Sequence, residues 1–299
     1  MSTDVVQAAH RSLHHHGRTF ALASTFLPPS SRDDAAVLYA LCRLIDDLAD
    51  EADDARQARR DLTTLLAFLR ATAAGTSADP EPLDAAERGA SDLVTAWVSV
   101  ARRRHIPLYP LEALVAGVLT DTGPVAMADD RELLVYCYRV AGTVGLLMCG
   151  VLDVDDPAAL PLAVDLGIGM QLTNICRDVL EDAGRGRVYL PASRLLAAGT
   201  TPQAILDGTA DPVAISSVVT QLLALADDRY ARGEQGLAYL PRRCRFAIRA
   251  AARMYRSIGV RLRRAGANPM LGRTVVPWHG KVVGLADAAV RTLPLAEAA

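Results

Sequence analysis

Aromatic side chains are scarce in this chain: Phe, Trp and Tyr together make up 5% of 299 residues, although hydrophobic residues reach 51%. Ala, Leu and Val must therefore do most of the packing, a mix that favours helices. No run shows strand alternation followed by hairpin turns, and no repeat of fixed period occurs. Five cysteines, Cys42, Cys137, Cys149, Cys176 and Cys244, stand without CxxC spacing, which excludes a disulfide framework and suits reduced, buried thiols. A formal net charge of −2 and a pI near 6.3 leave no basic surface, so nucleic acid is not an expected partner. No stretch of 18 apolar residues is present; the nearest, Val140 to Leu152, carries three glycines and reads as a buried helix. The opening MSTDVVQAAHRSLHHHGR lacks the basic-then-apolar order of a signal peptide. A cytoplasmic location is expected, with at most a surface contact to membrane. GTVG and GIG lack the third glycine and preceding strand of a dinucleotide fingerprint, and there is no P-loop or HExxH.

What is present is helical punctuation. Ser31 and Asp34 form a capping-box-like start after Pro28 and Pro29, predicting a helix from about 32 to 52. A second helix is expected to about 71, then a loop, ATAAGTSADPEP. The next helix, about 84 to 104, ends in Arg102, Arg103 and Arg104, cations suited to a helix C-terminus and expected to face solvent. Pro110 opens another, and Asp129 or Asp130 caps a longer one. Asp156 and Pro157 start the helix after it, and Pro191, Pro202, Pro212 (capped by Asp211) and Pro241 mark later starts. The expectation is ten to twelve helices in one all-helical domain, 1–299, with a cavity between central helices.

Two stretches carry chemistry. In GIGMQLTNICRDVLEDAGRGRVYLP, residues 167 to 191, Gln171, Asn174, Asp178 and Asp182 recur at helical spacing, giving one stripe of oxygen ligands about 16 Å long. Met170, Leu172, Ile175 and Val179 are expected on the opposite, buried side. Arg185, Gly186 and Arg187 then place two cations on a loosened turn. In YALCRLIDDLADE, residues 39 to 51, Tyr39, Arg43, Asp46 (or Asp47) and Asp50 share a face. Two such acidic walls facing each other would repel, by about 4 kcal/mol for charges 4 Å apart at an effective dielectric of 20. Hard cations together with an anionic diphosphate would relieve that. YCYRVAGTVG, 136 to 145, leads into an apolar helix, where Gly142 and Gly145 serve either close helix packing or room for a long apolar ligand.

HGRTFALAS (16 to 24), YALCRLIDDLADE, YCYRVAGTVG and QLTNICRDVLEDAGRGRVYLP resemble, in order and spacing, the squalene/phytoene synthase family, over roughly residues 15 to 280. The resemblance implies the all-α class I isoprenoid synthase bundle with a central active-site cavity. It implies head-to-head (1′–1) condensation of two prenyl diphosphates, with Mg²⁺ (or Mn²⁺) held by Asp46, Asp50, Asn174, Asp178 and Asp182. Tyr39, Arg43, Gln171, Arg177 and Arg187 would complete a diphosphate cradle, and Tyr136 would lie by the reacting carbons. His16, Arg18 (where the family more often has Lys) and Thr19 match a diphosphate-holding segment, and Tyr255 and Arg273 match further substrate-binding positions.

The AGTVG form of the Tyr136 motif resembles phytoene synthases more than squalene synthases, so NADPH is not expected. The alternative is a squalene or dehydrosqualene synthase using farnesyl diphosphate. A chain-elongating prenyltransferase or a terpene cyclase would lack the RGRVYLP tail, and a non-catalytic helical assembly factor would have eroded acids. Segment 20 to 24 with Ala35 and Ala36 presents small side chains where the resemblance puts the tail pocket's wall. That predicts geranylgeranyl substrate and C40 product, with a peripheral membrane contact for product release.

Overall fold

The computed structural model describes residues 2–76 and 85–269. Fourteen α-helices are found among the described residues, more than the ten to twelve expected, because several short helices follow the second acidic motif. The N-terminal half comprises α1 (Thr3–His16), α2 (Arg18–Ser24), α3 (Pro29–Asp50), α4 (Ala55–Ala74), α5 (Ala85–Arg103) and α6 (Tyr109–Val118). Then come α7 (Asp130–Cys137), α8 (Thr143–Val151), α9 (Ala159–Arg177), α10 (Val179–Gly184), α11 (Ala192–Ala197), α12 (Pro202–Leu206), α13 (Pro212–Gln235) and α14 (Arg242–Arg264).

Proline and aspartate set many of these starts, as their chemistry requires. Pro202 and Pro212 sit in first turns, where a missing N–H costs nothing, and Asp211 accepts from the Val213 amide at 3.0 Å. Asp129 likewise caps α7 by accepting from Glu132 N–H at 2.9 Å. The capping box expected at Ser31 and Asp34 does not form. α3 begins earlier, at Pro29 with Pro28 as N-cap, and Asp34 is buried, 1% exposed. Its carboxylate takes Arg103 and Arg104 at 2.5 Å each, and Arg104 also reaches Asp153 at 2.7 Å. Arg102 and Arg103 stay exposed, as expected, and only Arg104 is turned inward; Arg102 ties to the Thr72 and Ala73 carbonyls at the end of α4.

α9 is the central helix, packed by α8, α13 and α14. A helix surrounded on several sides needs close approach, and glycine supplies it. A Cβ on Gly145 would overlap the Ala163 carbonyl, and one on Gly167 would overlap that of Ala141. Gly142, too, lies against Val164 and Ile168. Close packing is thus what these glycines serve, although Gly145 also borders the cavity. On the other flank Asp165 is paired with Arg229 at 2.5 Å and Arg232 at 2.7 Å from α13.

Two features depart from a simple bundle. Tyr138–Gly142 between α7 and α8 is a π-helical turn, a distortion often found at functional sites. Val125–Ala126 (β1) and Arg187–Val188 (β2) pair in parallel, a short ladder that strand periodicity cannot detect in two residues. Asp130–Val151 and Ala159–Arg177 are long and apolar enough to cross a membrane. Both pack within the bundle against each other, which accounts for their composition.

Candidate active site

A cavity of about 470 Å³ lies between α3, α9, the segment from the π turn through α8, and α14. α3 contributes Ala35, Leu38, Tyr39, Cys42, Arg43 and Asp46, and α9 contributes Ala159, Ala163, Leu166, Gly167, Met170, Gln171 and Asn174. These positions follow helical spacing on one face of each helix. Both faces run from apolar to polar toward the helix C-terminus, so the acids of the two walls are reached in the same sense. The negative ends of two helix dipoles add to the need for cations there.

The two walls differ in detail from the continuous stripes expected. α9 ends at Arg177, and Asp178 (φ −104°, ψ 15°) breaks it before α10 begins. Asp178 receives the Arg177 guanidinium in both oxygens, at 2.7 and 2.5 Å. Met170 borders the cavity, whereas Leu172, Ile175 and Val179 are buried behind it. On α3, Asp46 faces the cavity while Asp47 pairs with Arg43, which resolves the choice between them. Asp46 keeps accessible surface at the cavity, yet desolvation by surrounding protein, then repulsion from Asp50, raises its carboxyl to about 7. Desolvation, then Asp178, raises Asp182 to about 7 as well.

The RGRVYLP tail joins the walls. Gly186 adopts φ +74°, the left-handed conformation open to glycine, and β2 then anchors the backbone beside β1. Arg185 Nη1 and Arg187 Nη1 each donate to Asp50, at 2.7 Å, one to each oxygen. Tyr189, two residues on, donates to Asp121 Oδ1 at 2.7 Å.

Asp121 is a site residue that sequence reasoning missed. It also accepts from Tyr136 at 2.8 Å, and the two tyrosine rings stack at 4.8 Å. Desolvation lifts its carboxyl to about 6, while the two tyrosine hydroxyls and Arg187 oppose the rise. Tyr136 stands behind the cavity lining. It is 6% exposed, does not line the cavity, and its hydroxyl goes to Asp121 rather than toward a reacting carbon. It supports the acidic layer from behind.

Other predicted residues are placed as follows. Tyr39 and Tyr255 both line the cavity and flank Phe20, which stacks on Tyr255 at 5.1 Å. Gly17 leaves room for the Tyr39 ring, which a Cβ there would strike at 2.7 Å. His16 and Arg18 are exposed and Thr19 half-buried, and none of the three lines the cavity. Desolvation raises the Asp47 carboxyl, with Arg43 opposing the rise. Arg273 lies outside the described residues. Ser24 and Ala35 border the cavity, but Ala36 does not: it is 0% exposed in the core, so the expected wall loses that member.

Among the described residues no three Asp, Glu, His or Cys side chains form a ready metal cluster. The donor set nonetheless fits a hard cation bound together with substrate oxygens. Asn174 donates to Gln171 at 3.3 Å, while its own Oδ1 is buried at the cavity without a hydrogen-bond partner. Asp46 and Asp182 carry the desolvation and like-charge strain that a dication relieves.

A profile of the squalene/phytoene synthase family matches residues 13–280. The chain belongs to that family. It is 37% identical to a 15-cis-phytoene synthase from Paracoccus sp., over 98% of this chain and 94% of that one. It is 35% identical to a phytoene synthase from Pseudescherichia vulneris, over 84% and 80% of the respective chains. A crystal structure of a dehydrosqualene synthase with ligand superposes with a TM-score of 0.81 at 25% identity, covering 96% of each chain. A squalene synthase from Alicyclobacillus acidocaldarius shares the fold, with a TM-score of 0.75 at 23% identity over 89% of this chain and 95% of that one.

Proposed function

We propose that this chain, acting as one all-helical domain, condenses two geranylgeranyl diphosphates head to head into phytoene by way of prephytoene diphosphate, releasing diphosphate. The observation that carries this reading is the cavity itself. Its apolar wall turns polar toward the C-termini of both α3 and α9, where Arg43, Asp46, Gln171 and Asn174 line it, and the Asp50–Arg185–Arg187 cluster follows at the end of α3. The named relatives at 35–37% identity support phytoene over squalene as product.

Asp46, Asp50, Asn174, Asp178 and Asp182 would hold divalent metal, Mg²⁺ with Mn²⁺ as substitute. Bound there, the metal supplies Lewis-acid neutralisation of charge building on the leaving diphosphate. Arg43, Arg177 and Arg187 offer guanidinium forks to diphosphate oxygens, a geometry suited to bidentate pairing. Gln171 and Tyr255 stand where the polar and apolar linings meet, and orient the reacting end. Beyond them Leu38, Val144, Met148, Leu166 and Ile248 keep water from the allylic cation, which water would trap. Attack by the second substrate's double bond and proton loss close the cyclopropane; a second ionisation opens it, and proton loss without NADPH gives phytoene. The protein acts in the cytoplasm, with a peripheral membrane contact receiving the hydrocarbon.

Purified protein incubated with Mg²⁺ and geranylgeranyl or farnesyl diphosphate, with and without NADPH, tests the reading by product extraction. Phytoene from the C20 substrate, independent of NADPH, is expected. Dehydrosqualene or squalene from the C15 substrate alone would transfer the assignment to the farnesyl-using branch. No product from either would end it.

A further inference from the structure

Asp50 is a predicted metal ligand, yet both of its oxygens are taken. Arg187 Nη1 holds Oδ1 and Arg185 Nη1 holds Oδ2, each at 2.7 Å. The two cations are held unequally. Arg187 is 9% exposed and starts β2, whose pairing with β1 fixes its backbone. Arg185 lies across the left-handed Gly186, has a side chain 44% exposed, and has a second, looser contact to Glu181 at 3.6 Å. The chain thus supplies its own counter-cations to the carboxylate at the end of α3, and Asp46 stands close enough to Asp50, and Asp182 to Arg187, to feel their charge. The absence of a ready three-carboxylate cluster among the described residues agrees with this arrangement.

A cation seeking Asp50 must displace two guanidinium groups, and an anionic diphosphate is the ligand that would draw those groups off, since arginine pairs bidentately with phosphate oxygens. We propose that Arg185 and Arg187 compete with divalent metal for Asp50, so that the full metal set assembles only once a diphosphate has claimed the arginines. Arg185 is then a positioning residue: it sets the order of loading by holding a ligand closed. The inference rests on the metal–diphosphate reading of the two acidic walls. It follows that the acids of this site take up metal weakly in the absence of substrate, when a bound ion would serve no reaction.

The test is Mn²⁺ binding to the full-length protein, followed by the electron paramagnetic resonance signal of free Mn²⁺, with no pyrophosphate present. Arg185→Gln is chosen because that side chain is the more exposed of the pair, and circular dichroism checks that the variant folds. Arg185→Gln is expected to tighten Mn²⁺ binding about fivefold or more, the lower end of ordinary coupling. In an Asp50→Asn background the same substitution should change it less than about twofold, because the contested carboxylate is gone. Equal tightening in both backgrounds means that Arg185 acts through its general field, and overturns the proposal. So does no tightening in either. A second arm adds inorganic pyrophosphate, which should improve Mn²⁺ affinity more in the wild type than in Arg185→Gln. Equal improvement in the two overturns the competition while leaving the metal–diphosphate reading standing. No Mn²⁺ binding by wild type even with pyrophosphate overturns both.

Discussion

Asp121→Asn isolates the electrostatic cost of the buried carboxylate that braces the site. The substitution keeps the shape: the amide oxygen can accept from one tyrosine hydroxyl, and the amide N–H can donate to the oxygen of the other. It removes the charge. Asp121 is 8% exposed, and burial lifts its folded-state pKa from 3.8 to about 6. The folded protein therefore holds this proton more tightly than the unfolded chain. Stability from the group is fully present below about pH 4 and is lost as pH rises through about 6. At about 1.4 kcal/mol per pH unit, the ionised form costs on the order of 3 kcal/mol at neutral pH. Asp46 and Asp182 are shifted in the same direction, so the whole protein should lose stability between about pH 4 and 7 in the absence of divalent metal. Urea denaturation at half-unit pH steps measures the profile. The difference between wild type and Asp121→Asn should open over pH 4 to 6 in favour of the variant and stay constant above 7. Parallel profiles would show that Asp121 does not titrate in this range on folding and would refute the reasoning.

Asp34→Ala takes from Arg104, whose side chain is 8% exposed, its buried partner and leaves it only the exposed Asp153. Breaking a buried pair in this way should cost about 3–5 kcal/mol, read as a fall in Tm on the order of 10 °C with KM for substrate unchanged. Asp178→Asn should lower kcat by about 10²–10³ or more, the scale of losing one charge-stabilising group. It should also reduce stability slightly, because Arg177 loses a bidentate partner; near-wild-type turnover at saturating substrate would count against the two-wall site. Ser24→Phe should shift preference from C20 to C15 substrate in direct competition. Ser24 borders the cavity, and blocking the space for five carbons forfeits about 3–4 kcal/mol of burial. Ala36→Trp, by contrast, should fail to fold stably.

The helix starts were legible because proline and aspartate act locally: Pro212 and Asp211 need only their immediate neighbours to open α13. The acidic faces were legible for a related reason, since positions 43, 46 and 50 on α3 share a face by spacing alone. What escaped depends on distant partners. Asp121 gains its meaning from tyrosines 15 and 68 residues away, and Asp34 from arginines 69 and 70 residues away. Nothing in a window around either residue signals that. The break at Asp178 escaped differently. Both flanking segments are helical, so the period of 3.6 survives a one-residue interruption, at which the Arg177 side chain folds onto Asp178.

The close-packing glycines and the acidic layer serve one arrangement. Gly145 and Gly167 let α8 and the π turn approach α9 until each glycine meets a backbone carbonyl, and Val144, Leu166 and Met170 nearby line the cavity. A wall made that way is rigid, because sliding either helix would drive backbone into backbone. The ligands at its polar end, Gln171 and Asn174, sit one and two turns further along the same α9 and inherit that rigidity. The opposite arms are built otherwise. Arg185 lies across a glycine turn and is half-exposed. The fixed ligands are thus on the helix that the packing holds, and Arg185, the more exposed of the two cations on Asp50, is on the turn that it does not. This division is what a site needs when it must hold metal and diphosphate in place through two ionisations and still admit and release them.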